Sequence, residues 1–158
     1  MVEERKFRSV MGHFPTGVTV VTTRGERGAP LGLTVSAFTS VSLVPIRILV
    51  CIHKDATAHD LIVGGGSFAV NILSSRQESL ATRFASGVAE ERFVGLEVLE
   101  SPLGTPLLTE ALGWLDCRVR DVFPGGDHSV VLAEVKECQA REGDPLVFYR
   151  GDLRGLCS

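Results

Sequence analysis

The sequence predicts a mainly β domain, an antiparallel barrel of six or seven strands with a few short helices. Short runs of β-branched and apolar residues recur along the 158 residues, and turns that contain glycine or proline separate several of them. Segments with the apolar spacing of an amphipathic helix are few and short. Hairpin connections favour antiparallel pairing over a parallel sheet, and a chain of this length fits one domain, residues 1–158.

The first third of the chain is predicted to form a helix, a hairpin and a buried strand. Phe7, Val10, Met11 and Phe14 have the spacing of an amphipathic helix that Pro15 ends. The later elements are a strand at 17–23, a turn at 24–30, a partner strand at 32–42, and an apolar strand at 47–52 that is covered on both faces.

The strand at 32–42 (GLTVSAFTSVS) alternates with period two. If it is extended throughout, Leu33, Val35, Ala37 and Val41 share one face, and the hydroxyl side chains share the other with Phe38. A row of short hydroxyls can bond the edge of a flat polar ligand. A half-exposed strand whose Ser and Thr face water explains the same pattern.

The middle of the chain is predicted as helix, strand, helix. Asp55 can cap the first helix, and three glycines after Val63 end it. Ser75 and Glu78 form a capping box for the second helix, which continues to Gly87. The strand between these two helices spans residues 67–73.

The last third of the chain is predicted to contribute one more hairpin and a closing strand. It begins with an irregular excursion at 88–112, with one helical turn at 106–112. Strands at 114–123 and 128–138 flank a glycine-rich turn, and a short strand follows at 145–149.

Charge and cysteine usage exclude several classes of protein. The chain has 16 Lys and Arg against 19 Asp and Glu, and its basic residues are scattered, so nucleic acid and anionic membranes are not expected partners. The first residues lack the apolar core of a signal peptide, and no apolar run approaches membrane-spanning length, so a cytoplasmic location is expected. The wide spacing favours reduced thiols over disulfides or zinc at Cys51, Cys117, Cys138 and Cys157.

Two segments are candidate anion sites. Residues 52–57 (IHKDAT) place Lys54 and Thr57 at the start of a predicted helix, where free amides favour phosphate, although a plain capped helix fits as well. The turn at 125–128 presents His128 at the head of a strand, although a turn histidine is more often solvated. Hydrolase and Walker motifs are absent, and the three glycines at 64–66 favour a helix C-cap.

Seven motifs, in order, connect the chain to a known family. The motifs span residues 14–22, 32–42, 54–57, 68–73, 84–85, 126–128 and 146–151. With these motifs the sequence resembles the flavin reductase domain family of FMN-binding split barrels. It is similar to the reductase components of two-component flavin-dependent monooxygenases such as 4-hydroxyphenylacetate 3-monooxygenase.

The resemblance implies a homodimeric Greek-key split barrel that reduces FMN or FAD with NADH or NADPH. Such a protein would supply reduced flavin to a partner oxygenase component. The main alternative is an FMN-binding electron carrier that does not use NAD(P)H directly. Two further alternatives are an oxidase or oxygenase that keeps its flavin and a barrel without a cofactor.

The resemblance also assigns site residues. His128 becomes the candidate catalytic residue, which holds the nicotinamide with help from Tyr149 and Arg150. Two departures from the family pattern, Ala56 and the segment 44–46 (VPI), leave flavin affinity and flavin preference open. The flavin ring is assigned to Thr34, Val35, Ser36, Ala37 and Ser40, the ribityl chain and phosphate to Cys51, His53, Lys54 and Thr57, and neighbouring positions to Asn71, Gln77, Arg83 and Phe84.

Overall fold

A computed structural model describes residues 1–156, which form three helices and twelve strands. The helices are α1 (Glu4–Met11), α2 (His59–Val63) and α3 (Glu78–Ser86). The strands are β1 (Thr16–Gly17), β2 (Thr19–Arg24), β3 (Pro30–Val35), β4 (Phe38–Leu43), β5 (Ile46–His53), β6 (Ser67–Ile72), β7 (Val98–Glu100), β8 (Pro106–Leu108), β9 (Gly113–Gly125), β10 (His128–Ala140), β11 (Leu146–Tyr149) and β12 (Asp152–Gly155).

Seven of these strands form one antiparallel sheet whose two edges are consecutive in sequence. The strand order is β3-β2-β6-β9-β10-β5-β4, so β3 and β4 are the edge strands. Only Ser36 and Ala37 separate them, and the Cys51 N–H of β5 donates to the Ala37 carbonyl at 2.9 Å. The sheet therefore curls until its edges meet, which confirms the predicted antiparallel barrel.

The predicted single strand at 32–42 is wrong, because the chain leaves the extended pairing at Ser36 and Ala37. Leu33 and Val35 lie inside the barrel as expected. After the break the alternation changes phase, so Phe38 packs against the core whereas Ala37 and Val41 are exposed. The hydroxyl row is thus divided between two strands at opposite edges of the sheet.

Two apolar clusters lie on either side of β2. Val21 faces the barrel interior, where it packs with residues such as Ile52 and Phe68. Val20 faces outward against Phe84 of α3 and Leu146 of β11. β2 is buried on both faces, because the barrel covers one side and α3 with the small sheet β1-β11-β12 covers the other.

Several predicted boundaries shift where tertiary contacts compete with local signals. α2 begins at His59, so Asp55 does not cap it. The capping box joins Ser74 and Gln77, one position earlier than predicted. The helical turn predicted at 106–112 is wrong, because Pro106–Leu108 pairs with Val98–Glu100 as a two-stranded sheet. The strand at 47–52 is not covered on both faces, since its buried side chains alternate with half-buried ones.

The helix α1 is exposed and amphipathic, and the described cysteines are not paired in disulfides. α1 has no buried residue, and no helix of the described chain is long and apolar enough to span a bilayer. Cys51, Cys117 and Cys138 are free, and Cys157 lies outside the described residues. Burial raises the pKa of the Cys117 thiol to about 12, so it remains protonated at neutral pH.

A substitution of Phe84 tests whether the apolar cluster around Val20 stabilises the fold or contacts a ligand. Its ring is 1% exposed, packs edge-on against Phe93 at 4.9 Å, and leaves no room for a Cβ at Gly32. We expect Phe84→Leu to lower the free energy of unfolding by about 1–3 kcal/mol in urea, because the smaller side chain leaves a cavity. The Kd for FMN should change by less than about twofold. A large loss of FMN affinity at unchanged stability would contradict this structural role.

Candidate functional site

The end of β5 and the start of β10 bring two sequence-predicted candidates together. His53 and His128 are 75 positions apart in sequence but are direct partners in the β5–β10 register. Their ring centroids are 4.9 Å apart, and the rings meet edge-on at 79°. Both side chains are partly exposed at the barrel edge, so a bound molecule can reach them.

The turn before β10 orients the His128 ring. Gly126 adopts a φ of 80°, a conformation that favours glycine and lets β9 reverse into β10. The Nδ1–H of His128 donates to Asp127 Oδ1 at 2.7 Å, since a carboxylate can only accept. This bond is the main cause that lowers the pKa of Asp127, so the carboxylate stays charged to a more acidic pH than usual. Within residues 1–156 the Nε2 atom of His128 has no hydrogen-bond partner and can meet a ligand.

The loop after β5 is held against the same turn. The Lys54 N–H donates to the Asp127 carbonyl at 3.0 Å, and the Asp55 N–H donates to His53 Nδ1 at 3.1 Å. The side chains of Lys54 and Thr57 point to the exposed surface. Because α2 starts only at His59, an anion here would meet a loop with one ammonium and one hydroxyl, and not a helix N-terminus.

Beside the histidine pair lies an outward face of small and apolar side chains. Cys51, Val130 and Phe123 are register partners on β5, β10 and β9, and they form the row next to His53, His128 and Gly125. Burial raises the pKa of the Cys51 thiol, so this position is a neutral surface. An apolar face bordered by imidazoles and an ammonium suits a flat ring that carries a polar chain and a phosphate.

Several predicted contact residues lie inside the protein. Val35 faces the barrel core, and Gln77 is buried with its Oε1 accepting the Ser74 N–H. The Asn71 amide donates to the Val20 carbonyl and accepts the Leu108 N–H. These side chains and the buried Phe84 contribute packing and hydrogen bonds inside the protein.

Two polar residues in the predicted set bond to neighbouring segments. The Thr34 hydroxyl donates to the Ala81 carbonyl at 2.6 Å and so fastens β3 to α3. Arg83 donates to the carbonyls of Glu91 and Val94, both at 2.6 Å, and so closes the turn after α3. Both groups stabilise the surroundings of the barrel edge.

The remaining predicted contacts lie in three places on the surface. Ser36 is half-buried in the link between the edge strands, and Ser40 is exposed on β4. Tyr149 lies at the end of β11, with His13 edge-on and Arg154 5.6 Å above its ring. The Arg150 N–H donates to the Gly12 carbonyl, so the described contacts of Tyr149 and Arg150 are with the segment that follows α1 and with β12.

Sequence reasoning missed the buried pair His59 and Ser129. His59 Nε2 lies 2.9 Å from Ser129 Oγ, and both residues are buried. The strand pattern contained a signal, because Ser129 is in phase with the interior residues Val131 and Ala133. A polar side chain in an interior position needs a hydrogen-bond partner.

Comparisons with known proteins show the family of the chain. Residues 11–156 match the family model described as flavin reductase like domain. The chain is 40% identical over 156 residues to the reductase subunit of a flavin-dependent monooxygenase from Rhodococcus jostii, covering 98% of this chain and 79% of that one.

Two solved structures are similar along nearly the whole chain. Component B of nitrilotriacetate monooxygenase from Mycobacterium thermoresistibile has a TM-score of 0.91 and 39% identity, over 97% of this chain and 86% of that one. An NADH:FAD oxidoreductase from Streptomyces globisporus, in complex with NAD and FAD fragments, has a TM-score of 0.89 and 36% identity, over 99% and 96%. By its sequence and its barrel, the chain belongs to the flavin reductase like domain family.

Proposed function

We propose that the protein is an NAD(P)H-dependent flavin reductase that supplies reduced flavin to a partner oxygenase. The observation that carries this proposal is the meeting of His53, Lys54 and His128 at one barrel edge, beside an outward apolar face. Family membership supports it, because the relatives are named as reductase components and as an NADH:FAD oxidoreductase. The alternative electron carrier lacks a specific observation in its favour.

The chain's own residues bind and orient two nucleotides. Lys54 and Thr57 hold the flavin phosphate, and Ala37, Cys51 and Val130 offer the surface for its ring. His128 presents Nε2 to the nicotinamide nucleotide while Asp127 fixes the imidazole through Nδ1.

The reaction is NAD(P)H + flavin + H⁺ → NAD(P)⁺ + reduced flavin, and the two nucleotides supply the hydride chemistry when they are bound. Such a transfer needs no nucleophile or general base from the protein. Cys51 is consistent with this mechanism, because burial raises the pKa of its thiol and so keeps it protonated and weakly nucleophilic.

Anaerobic mixing tests the proposed activity. With FMN or FAD present, we expect NADH or NADPH to bleach the flavin absorbance at about 450 nm within seconds, because hydride transfer removes the oxidised chromophore. Stopped-flow spectroscopy with each nucleotide and each flavin identifies the preferred electron donor and the preferred flavin. Flavin that binds tightly but stays oxidised with both nucleotides would favour the electron carrier.

A substitution of His128 should weaken mainly the binding of the nicotinamide nucleotide. We expect His128→Ala to raise the KM for NADH about tenfold, because one hydrogen bond to a charged ligand contributes about 1.5 kcal/mol. The Kd for FMN, measured by fluorescence titration, should stay within about twofold of wild type. Unchanged steady-state kinetics would remove this role from His128.

The homodimer remains a proposal, and α1 is the surface that supports it. Phe7, Val10, Met11 and Phe14 form an apolar stripe, and each is about half or more exposed. An amphipathic helix whose apolar face is open to water in one chain is typical of an association surface. A cytoplasmic location likewise remains a prediction from the sequence.

Charge placed on the α1 stripe should separate the proposed dimer. We expect Phe7→Asp to elute as a monomer in size-exclusion chromatography with light scattering, because a buried unpaired carboxylate opposes association. Val94→Asp is the matched control, since Val94 is similarly exposed but lies in the turn after α3. A monomeric wild type, or a Phe7→Asp variant that stays dimeric, would contradict the proposed interface.

A further inference from the structure

His59 and Ser129 form a buried side-chain pair that the proposed residue roles do not use. His59 Nε2 lies 2.9 Å from Ser129 Oγ, and Nδ1 lies 2.8 Å from Asp60 Oδ1. Because the carboxylate can only accept, Nδ1–H donates to Asp60, and Nε2 is left to share a hydrogen bond with the Ser129 hydroxyl. His59 is 9% exposed and Ser129 is 7% exposed, so loss of either partner leaves a buried polar group unsatisfied.

The pair connects the proposed phosphate loop to the strand that carries His128. His59 is the first residue of α2 and directly follows the loop at 54–58. Ser129 follows His128 in β10, with its side chain directed into the barrel while that of His128 faces outward. The bond to His59 therefore anchors the backbone from which the His128 imidazole projects.

The loop is tied to the start of β10 at both ends. At its first residue the Lys54 N–H donates to the Asp127 carbonyl at 3.0 Å, and at its far end His59 bonds Ser129. Between these ties, the Ala56 N–H donates to the His53 carbonyl and the His59 N–H donates to the Ala56 carbonyl. A short loop that is tied to Asp127 at one end and to Ser129 at the other shifts together with His128, which lies between them.

We propose that His59 is a positioning residue that, through Ser129, couples occupancy of the phosphate loop to the orientation of His128. The proposal rests on the proposed function. A flavin phosphate held by Lys54 and Thr57 restrains the loop further, and the buried pair transmits that restraint to the start of β10. NADH then meets an imidazole that is already placed, so it binds better beside FMN than beside riboflavin, which lacks the phosphate.

The test compares the KM for NADH with FMN and with riboflavin as saturating acceptors. Ring stacking on the nicotinamide is common to both acceptors, so the ratio of the two KM values isolates the phosphate. In wild type we expect the KM for NADH to be at least about fivefold lower with FMN than with riboflavin. In His59→Ala and in Ser129→Ala the ratio of the two KM values should fall to about one, because a phosphate bound at the loop no longer affects the orientation of His128.

Ser101→Ala is the matched control, because Ser101 is 6% exposed and its hydroxyl bonds Thr105 in the β7–β8 hairpin. This variant loses two buried hydrogen bonds of the Ser101 hydroxyl, both to Thr105, and should keep the wild-type ratio. Thermal unfolding monitors all variants, and Ser129→Ala preserves nearly the full side-chain volume if His59→Ala does not fold.

The outcomes separate the coupling from the activity. A wild-type ratio near one, or an unchanged ratio in folded Ser129→Ala, overturns the coupling while flavin reduction itself stands. Failure of wild type to reduce either flavin overturns the proposed function, and this proposal with it.

Discussion

The two-residue link between β3 and β4 is the constraint on which the rest of the structure depends. Because only Ser36 and Ala37 join the two edge strands, the sheet has to curl until the end of β3 and the start of β4 lie close together. Closure also fixes β5 beside the link, where the Cys51 N–H bonds the Ala37 carbonyl. The end of β5, with His53 and Lys54, is thereby held at the barrel edge next to the start of β10.

The candidate site follows from that placement. Apart from Ser129, the interior positions of β5 and β10 are filled with apolar side chains, so the candidate ligand contacts are on the outward positions and in the two connecting segments. There Asp127 directs the His128 ring, and Lys54 adds a positive charge at the loop that would hold a phosphate. A barrel of this kind can carry many functions, and these side chains are what favour a flavin reductase.

Local patterns predicted the hairpins and part of the site. The turn at 125–128 and the alternation on either side of it located β9 and β10 correctly, and Lys54 and His128 were identified as ligand candidates. The break at Ser36 and Ala37 was not predictable by alternation, because the period-two pattern of the sequence continues through these two residues while the chain moves from one edge of the sheet to the other. Asn71, Gln77 and Phe84 were named as flavin neighbours, yet their burial depends on how α3 and the β7–β8 hairpin cover the barrel.

The sequence by itself determined the antiparallel class, the helix–hairpin order and the family, since period-two alternation, turn residues and ordered motifs are local properties. Tertiary structure alone decided which residues meet. The contact between His53 and His128 and the bond between His59 and Ser129 join segments 70 or more positions apart. No local pattern encodes such pairs, because they depend on strand register and on closure of the sheet.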